Sequence, residues 1–590
     1  MKRGFGVRIF ITLVVILVVL PAACKSESEV TVEGTIFEDL DGDGILDAGE
    51  GGIPDILVSN GITVTVTDEG GSYQLPQEGY FVFITTPNDY VTTLWYRGIT
   101  EHDLDFGLSP APEKNGDEFV FVQITDIHLD TEGGHIAIFE QAIEEINDIA
   151  PAFVIATGDL VFQGDEATIS QAREWYDTYV NSIRDLEMPI YNVIGNHDVV
   201  GIHCEQAAET EPGYNEEMYR DYFGPTHYSF DWGSYHCLIL DPNELVDGQQ
   251  VYRIPDSQLE WLRQDLAHRQ GKPLLVFFHE PTTSWENRTQ VLNLLKQHQT
   301  MMFSGHWHFD ILMDSYGIPE QVTGAICGEW WLGPGADGNP FGYRIVDVDG
   351  EAISTFYKGV GEERAINITS PGAIASGEIT LTAQLYTEHG AIQEAYYSVN
   401  GGQAVTMQIE EGAMWDTATA LWDTTQLAAG YHTIAIEARD EEGPSSQEVE
   451  VKVSKEEIVS IGELISHFEA YRGQYATVKG EVVFAAMGPP YAEEGTGAIV
   501  ISDETGGMVI VTVECIAPLP PTLATGDLIM VEALPLQYSM EFIEMSNEFG
   551  MIQQYASLLP EGLLVGDEDG PQAVRIMMLL SGDDVQKIHS

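Results

Sequence analysis

Five short segments, each closing an apolar run, place polar side chains where a strand would end. They are TDIHLD (Asp126, His128), TGDLV (Asp159), GNHD (Asn196, His197, Asp198), FFHEP (His279) and SGHWH (His306, His308). In an open α/β sheet the loops beyond the carboxyl ends of the strands converge on one crevice, so side chains distant in sequence meet there. The runs FVFVQI, FVIA, IYNVI, YHCLIL and LLVFF alternate with amphipathic stretches at 136–149, 169–186 and 257–268, the pattern of a layered α/β core. Asp, His and Asn without a thiolate form a hard-to-borderline donor set suited to Fe, Mn or Zn. One segment alone carries little, because Gly-Asp is most often a turn and a lone His after a strand most often packs. Five in this order restrict the fold and its chemistry together.

The ordered set Asp-x-His, Gly-Asp, Gly-Asn-His, His and Gly-His-x-His resembles the calcineurin-like metallophosphoesterase family over about Phe119 to Gly361. CGEWWLGPGADGNPFGYRIVDVDG and the following YKGVG resemble the end of the catalytic region in exported multidomain members with an N-terminal β-domain. The resemblance implies an α/β fold, a two-sheet α/β/β/α sandwich flanked by all-β accessory domains. It also implies two divalent or transition ions, Fe, Mn or Zn: Asp126, His128 and His308 on one, Asn196, His279 and His306 on the other, Asp159 bridging. Such a pair clamps a phosphoryl group and activates a bridging water, so hydrolysis of phosphate mono- or diesters by a metal-bridging hydroxide is implied. His197 then corresponds to the non-ligand histidine that binds a phosphoryl oxygen or protonates the leaving alkoxide. Protein phosphatases of the family carry an Asp three residues after the bridging Asp. Phe162 stands there, which leaves Asp198 and Asp165 as candidates to orient His197. Phe162 also replaces the tyrosine ligand of purple acid phosphatases, which argues against a tyrosinate–iron site.

The 590 residues exceed a single core, and the sequence divides accordingly. Residues 1–24 carry Lys2, Arg3 and Arg8, an apolar run from Ile9 to Leu20, and Cys24 after two alanines; this reads as an export signal whose Cys24 resembles a bacterial lipid-accepting cysteine. Residues 30–108 alternate as a small β-sandwich. Within it Asp39, Asp41, Asp43, Gly44, Asp47 and Glu50 have calcium-loop spacing, with a structural calcium ion as the expected occupant. The catalytic region is expected at 117–362, an immunoglobulin-like sandwich at 365–455 and an OB-like barrel at 456–558, with 559–590 unassigned. Cys204, Cys237, Cys327 and Cys515 form no Cys-x-x-Cys pair and are expected as free thiols.

Ninety-four Asp and Glu against 25 Lys and Arg give a net charge of −69, which excludes nucleic-acid binding through a basic surface. The expected partner is a phosphoester substrate. Membrane attachment is expected only through the N-terminal lipid or anchor, the location is the cell envelope or extracellular surface, and the chain is expected to be a monomer. Trp285, Trp307, Trp330 and Trp331 lie in or near the site segments; most such residues pack, and Trp307 is the first choice for stacking on a substrate. His203, His227, His236, His268 and His298 match no motif and are expected at the surface or in satisfied core. A reading from another class also stands: a surface adhesion or scaffold protein with a structural or vestigial metal site.

Overall fold

Alternation along one strand separates two cores. In the computed structural model, Phe119 and Phe121 of β1 (Glu118–Ile124) enter one apolar cluster, while Val122 and Ile124 enter another on the opposite face. The structure describes residues 30–246, 248–487, 497–512, 525, 527–539, 563–567, 570–579 and 585–587. The export signal at 1–24, Cys24 and Cys515 lie outside the described residues, as do 559–562, 568–569, 580–584 and 588–590 of the tail.

After β1 come α1 (Gly133–Ile149), β2 (Phe153–Thr157), α2 (Ile169–Ile183), β3 (Ile190–Val193), β4 (Tyr228–Trp232) and β5 (Tyr235–Ile239). Then follow α3 (Asp256–His268), β6 (Leu274–Phe277), β7 (Thr300–Ser304), β8 (Ile311–Ser315), β9 (Ile318–Val322), β10 (Gly342–Asp349) and β11 (Ala352–Gly359). α2 ends at Ile183, short of the expected 186. The first sheet runs β3-β2-β1-β10-β11 and the second β4-β5-β6-β7-β9-β8. β1, β2 and β3 are parallel, as are β5, β6, β7 and β9, so their carboxyl ends lie on common edges. The two sheets face each other across Phe121, which stacks on Phe153 at 5.0 Å and meets Phe277 and Phe303 edge-on at 5.7 and 5.4 Å. Each such ring contributes about 1.5–3 kcal/mol on burial. α1 and α2 cover the outer face of the first sheet, and α3 packs Leu259 and Leu262 on the second.

One polar residue crosses the apolar layer near the strand ends. Gln123 is fully buried; its amide donates to Thr157 Oγ1 (2.8 Å) and the Ser304 carbonyl (3.0 Å) and its carbonyl accepts from Thr323 Oγ1 (2.7 Å). A buried amide satisfied in this way ties β1, β2 and β7 together beneath the loops that follow them.

The flanking regions are β-rich. Residues 31–110 form two four-stranded sheets, in one of which Thr31–Glu38 pairs antiparallel with Ser72–Pro76 and parallel with Phe106–Pro110. Residues 364–453 form a four-stranded and a five-stranded sheet. Farther on, strands Ala476–Met487, Gly497–Ser502, Gly507–Thr512, Gly570–Leu579 and Leu528–Ser539 pair in a closed cycle. Its core is continuous with that of the two-sheet region: Trp307, Phe309 and Ala336 share one cluster with Tyr471, Val478 and Leu534.

Candidate metal centre

Each site segment begins just beyond a strand. β1, β2, β6 and β7 end two residues before Asp126, Asp159, His279 and His306, and β3 ends three before Asn196. The chain then turns sharply: Asp126, His128, Asp159, His306 and His308 have φ of 49°, 43°, 50°, 72° and 56°. The left-handed region costs a non-glycine residue about 1–3 kcal/mol. Five such residues around one point are held there by the surrounding hydrogen bonds. His306 N–H donates to both Asp126 carboxylate oxygens at 2.9 Å, and the His128 and Ile127 amides donate to the Asp159 carbonyl at 2.8 Å.

Three glycines of the segments, Gly158, Gly195 and Gly305, are required by close approach; a Cβ on Gly195 would overlap Asp159 Oδ1. A Cβ on Gly158, itself at φ 90°, would lie 2.5 Å from His279 Cγ and Nδ1. A Cβ on Gly305 would overlap Thr125 Oγ1 and reach 2.5 Å from Asp126 Oδ2.

The structure brings together all seven residues for which the resemblance implied metal ligation. His128 Nε2 and His308 Nε2 are 3.1 Å apart, and His308 Nε2 is 3.3 Å from Asp126 Oδ1. On the other side His279 Nε2 lies 2.9 Å from Asp159 Oδ2, and His306 Nδ1 lies 2.9 Å from Asn196 Oδ1. Asp159 belongs to both sides, its Oδ2 also standing 3.5 Å from His128 Nε2. The other ring nitrogens are engaged: His128 Nδ1 with the Phe162 carbonyl, His279 Nδ1 with the Thr157 carbonyl and His308 Nδ1 with the Gly328 carbonyl, at 2.7–2.8 Å. That leaves Nε2 of each ring as the atom turned toward a prospective metal.

The donor set fits cations. His279 Nε2 is buried and makes no hydrogen bond, although Asp159 Oδ2 is 2.9 Å and Asp126 Oδ1 3.8 Å away. Ring nitrogens and carboxylate oxygens gathered about 3–4 Å apart around one point have the spacing of ligands around a common ion. Burial drives the His128 imidazole down to about 3, so that ring is neutral and able to coordinate. Burial also opposes charge on His279, yet the Asp159 and Asp126 carboxylates push its pKa well above the ordinary value. Burial likewise opposes ionisation of Asp126 and Asp159, and the neighbouring histidines hold both below the usual carboxylate range. The centre of the cluster therefore demands positive charge.

Between the two carboxylates left open for His197, the geometry selects one. Asp165 Oδ1 lies 2.6 Å from His197 Nδ1. Asp198 turns the other way, accepting backbone N–H bonds from Leu160 (2.8 Å), Val161 (3.2 Å) and Gly195 (2.8 Å), and so clamps two site loops. Sequence spacing did not reveal Cys327, whose Sγ is 3.8 Å from His308 Nδ1 and whose amide donates to the Asp126 carbonyl at 3.3 Å. Cys204, Cys237 and Cys327 are free. The expectation for Trp307 is corrected: it is only 6% exposed and stacks on Phe309 within the shared core. His227, His236 and His298 have hydrogen-bond partners away from the centre.

In the N-terminal region Asp39, Asp41 and Asp43 each offer an oxygen to one small volume. Glu50 closes that loop by accepting from the Leu40 and Asp47 amides at 2.9 Å.

Residues 119–310 match the calcineurin-like phosphoesterase family, residues 40–102 the N terminal of calcineurin-like phosphoesterase and residues 320–436 the C terminal of calcineurin-like phosphoesterase. Serine/threonine-protein phosphatase CPPED1 of Rattus norvegicus is 28% identical over 251 residues, covering 39% of this chain and 75% of that protein. Probable glycerophosphodiester phosphodiesterase GpdQ of Arcobacter nitrofigilis is 26% identical over 173 residues, covering 28% of this chain and 57% of that protein. The solved structure of a dimetal phosphatase from Danio rerio is 15% identical, covers 40% of this chain and 98% of its own, and superposes with a TM-score of 0.30.

Proposed function

Because the chain belongs to the calcineurin-like phosphoesterase family, we propose that it hydrolyses phosphate mono- or diesters at the cluster centred on Asp159. The observation that carries this reading is the position of that carboxylate, 3.5 Å from His128 Nε2 and 2.9 Å from His279 Nε2, between two ligand groups. Asp126, His128 and His308 would hold one divalent ion and Asn196, His279 and His306 the other, with Asp159 shared. Bound there, the ions would supply the charge that lowers the pKa of water, makes a bridging hydroxide available as nucleophile and neutralises phosphoryl oxygens.

The chain's own residues supply the rest. Asp165 holds His197 by Nδ1, which leaves proton exchange with the substrate to Nε2. That nitrogen protonates the leaving alkoxide, a role an imidazole fills near neutral pH. The left-handed ligand loops, tied down by Asp198 and Gln123, keep the donors from reorganising as charge develops.

Around this centre we read an N-terminal β-sandwich whose Asp39–Glu50 loop takes a structural calcium ion, an immunoglobulin-like sandwich, and an OB-like barrel in the closed cycle of five strands. The basic-then-apolar residues 1–24 support export to the cell envelope or extracellular surface with lipid on Cys24, and the protein works as a monomer.

Metal content by plasma mass spectrometry, measured alongside hydrolysis of a chromogenic phosphomonoester and diester, tests the reading. About two transition-metal ions per chain with chelator-sensitive turnover is the expected result. A chain that binds none after reconstitution with Mn, Fe or Zn would instead be a scaffold protein.

A further inference from the structure

Four tryptophans lie near the centre and differ in what they do. Trp285 and Trp307 are 2% and 6% exposed and belong to apolar cores. Trp331 is a strut: its ring stacks on His135 at 4.8 Å and its Nε1–H donates to the His128 carbonyl at 2.9 Å. Trp330 is half-buried: it packs in part against the core that holds Trp307 and against Phe162 at 5.5 Å, and its ring centroid also lies 4.1 Å from His128, 5.2 Å from His197 and 5.8 Å from His308.

The loop that carries it is built to hold that position. Trp330 and Trp331 have φ of 50° and 66°, a conformation that bulky residues adopt only when the surroundings dictate it. On the catalytic side the Cys327 amide donates to the Asp126 carbonyl (3.3 Å) and the Trp331 amide to the Cys327 carbonyl (2.7 Å). On the other side the Glu329 carboxylate accepts the Ser539 amide of the C-terminal sheet at 2.9 Å. An indole carries no lone pair for a metal, so what is held beside His197 is an apolar aromatic plane.

We propose that Trp330 forms the wall of the substrate site on the His197 side and selects esters whose leaving alcohol carries a planar aromatic ring. This rests on the phosphoesterase reading, in which His197 protonates the leaving oxygen. The rest of the leaving alcohol then lies beside the His197 ring, and Trp330, at 84° to that ring, is the surface it meets. Stacking on an aromatic side chain tolerates any flat ring and adds about five- to 150-fold in affinity.

The test compares the full chain with Trp330→Ala, Trp330→Leu and Trp330→Phe on a phenyl and a glycerol ester of the same phosphate class. Metal content is measured for every variant. Affinities for phenylphosphonate and methylphosphonate are measured by calorimetry. Trp330→Ala and Trp330→Leu are expected to lose about tenfold in kcat/KM for the phenyl ester, mainly through KM, and to stay within twofold on the glycerol ester. Their preference for phenylphosphonate should vanish, and Trp330→Phe should retain most of both. Equal losses on the two esters, with or without loss of metal, would make Trp330 a prop for the histidines and overturn the proposal, as would no change on either. Should the metal-loaded wild type cleave neither ester, the phosphoesterase reading fails. The phosphonate arm then still decides the wall, which stands if the phenyl preference is present in wild type and absent in Trp330→Ala and falls otherwise.

Discussion

Asp165 Oδ1 lies 2.6 Å from His197 Nδ1, six residues after Asp159 in sequence and in a short 3-10 turn (Gly164–Glu166) rather than in the place the family's protein phosphatases use. The Gly164 amide donates to the His197 carbonyl at 2.8 Å, so the two loops are bound by backbone as well as side chain. A carboxylate there fixes both ring orientation and tautomer.

Replacing Asp165 by Asn keeps the shape but offers an amide N–H to Nδ1, which turns the proton inventory of the ring around. The expected result is a fall in kcat of about 10²–10⁴, with metal content unchanged. His197→Ala should do the same. Wild-type turnover in either variant would remove the pair from the mechanism.

In the proposed centre Asp159 contributes to both ligand groups, whereas Asn196 belongs to one. Asp159→Ala should therefore abolish turnover and empty both metal positions, while Asn196→Ala should leave about one ion per chain. Plasma mass spectrometry on dialysed protein distinguishes the two. Equal loss of a single ion in both variants would mean that Asp159 does not bridge.

The catalytic layers were legible because period-2 alternation and strand-end polar residues report directly on a sheet: Phe121 inward and Val122 outward are visible in FVFVQI. The site segments were legible because each follows an apolar, strand-like run, and the ligand assignments came from the resemblance of their ordered set to the calcineurin-like metallophosphoesterase family. Asp165 stood beside Asp198 as one of two candidates, since a Gln-Gly-Asp stretch gives no sign of which way its carboxylate turns. Trp307 was ranked above Trp330 because position next to two ligand histidines says nothing about whether a ring points to the site or to the shared core with Tyr471 and Leu534. That core joins residues over 160 apart in sequence, and no local pattern carries such a contact.

Gly305 sits where Asp126 and Thr125 cross the loop before His306. Gly305→Ala should push the loop outward, because the new Cβ would overlap Thr125 Oγ1 and crowd Asp126 Oδ2. Overpacking of this kind costs about 1–3 kcal/mol. Reduced metal content and a lower melting temperature are expected together, and a variant with wild-type metal content and melting would show that the loop yields freely.

A separate set of charges sets the pH dependence of stability. His236 is fully buried between Asp231 (Nδ1 to Oδ1, 2.7 Å) and Asp265 (Nε2 to Oδ1, 2.6 Å), and Lys272 Nζ stands 2.9 Å from the far oxygen of Asp231, with Arg269 beside it. Burial lowers the histidine's pKa, but the carboxylates of Asp265 and Asp231 overcome that and raise it above the ordinary value. Folding therefore takes up a proton here. The stabilisation is complete below the unfolded value of about 6.5 and is lost as pH rises through the folded one. Asp231, whose pKa is depressed despite its burial by His236, Arg269 and Lys272, acts in the opposite sense and loses its contribution only as acid is added below the ordinary carboxylate range. Differential scanning calorimetry should show the catalytic region melting at progressively lower temperature from about pH 6.5 upward, and His236→Gln should flatten that slope while lowering the midpoint at pH 6. An unchanged slope in the variant would place the pH dependence elsewhere.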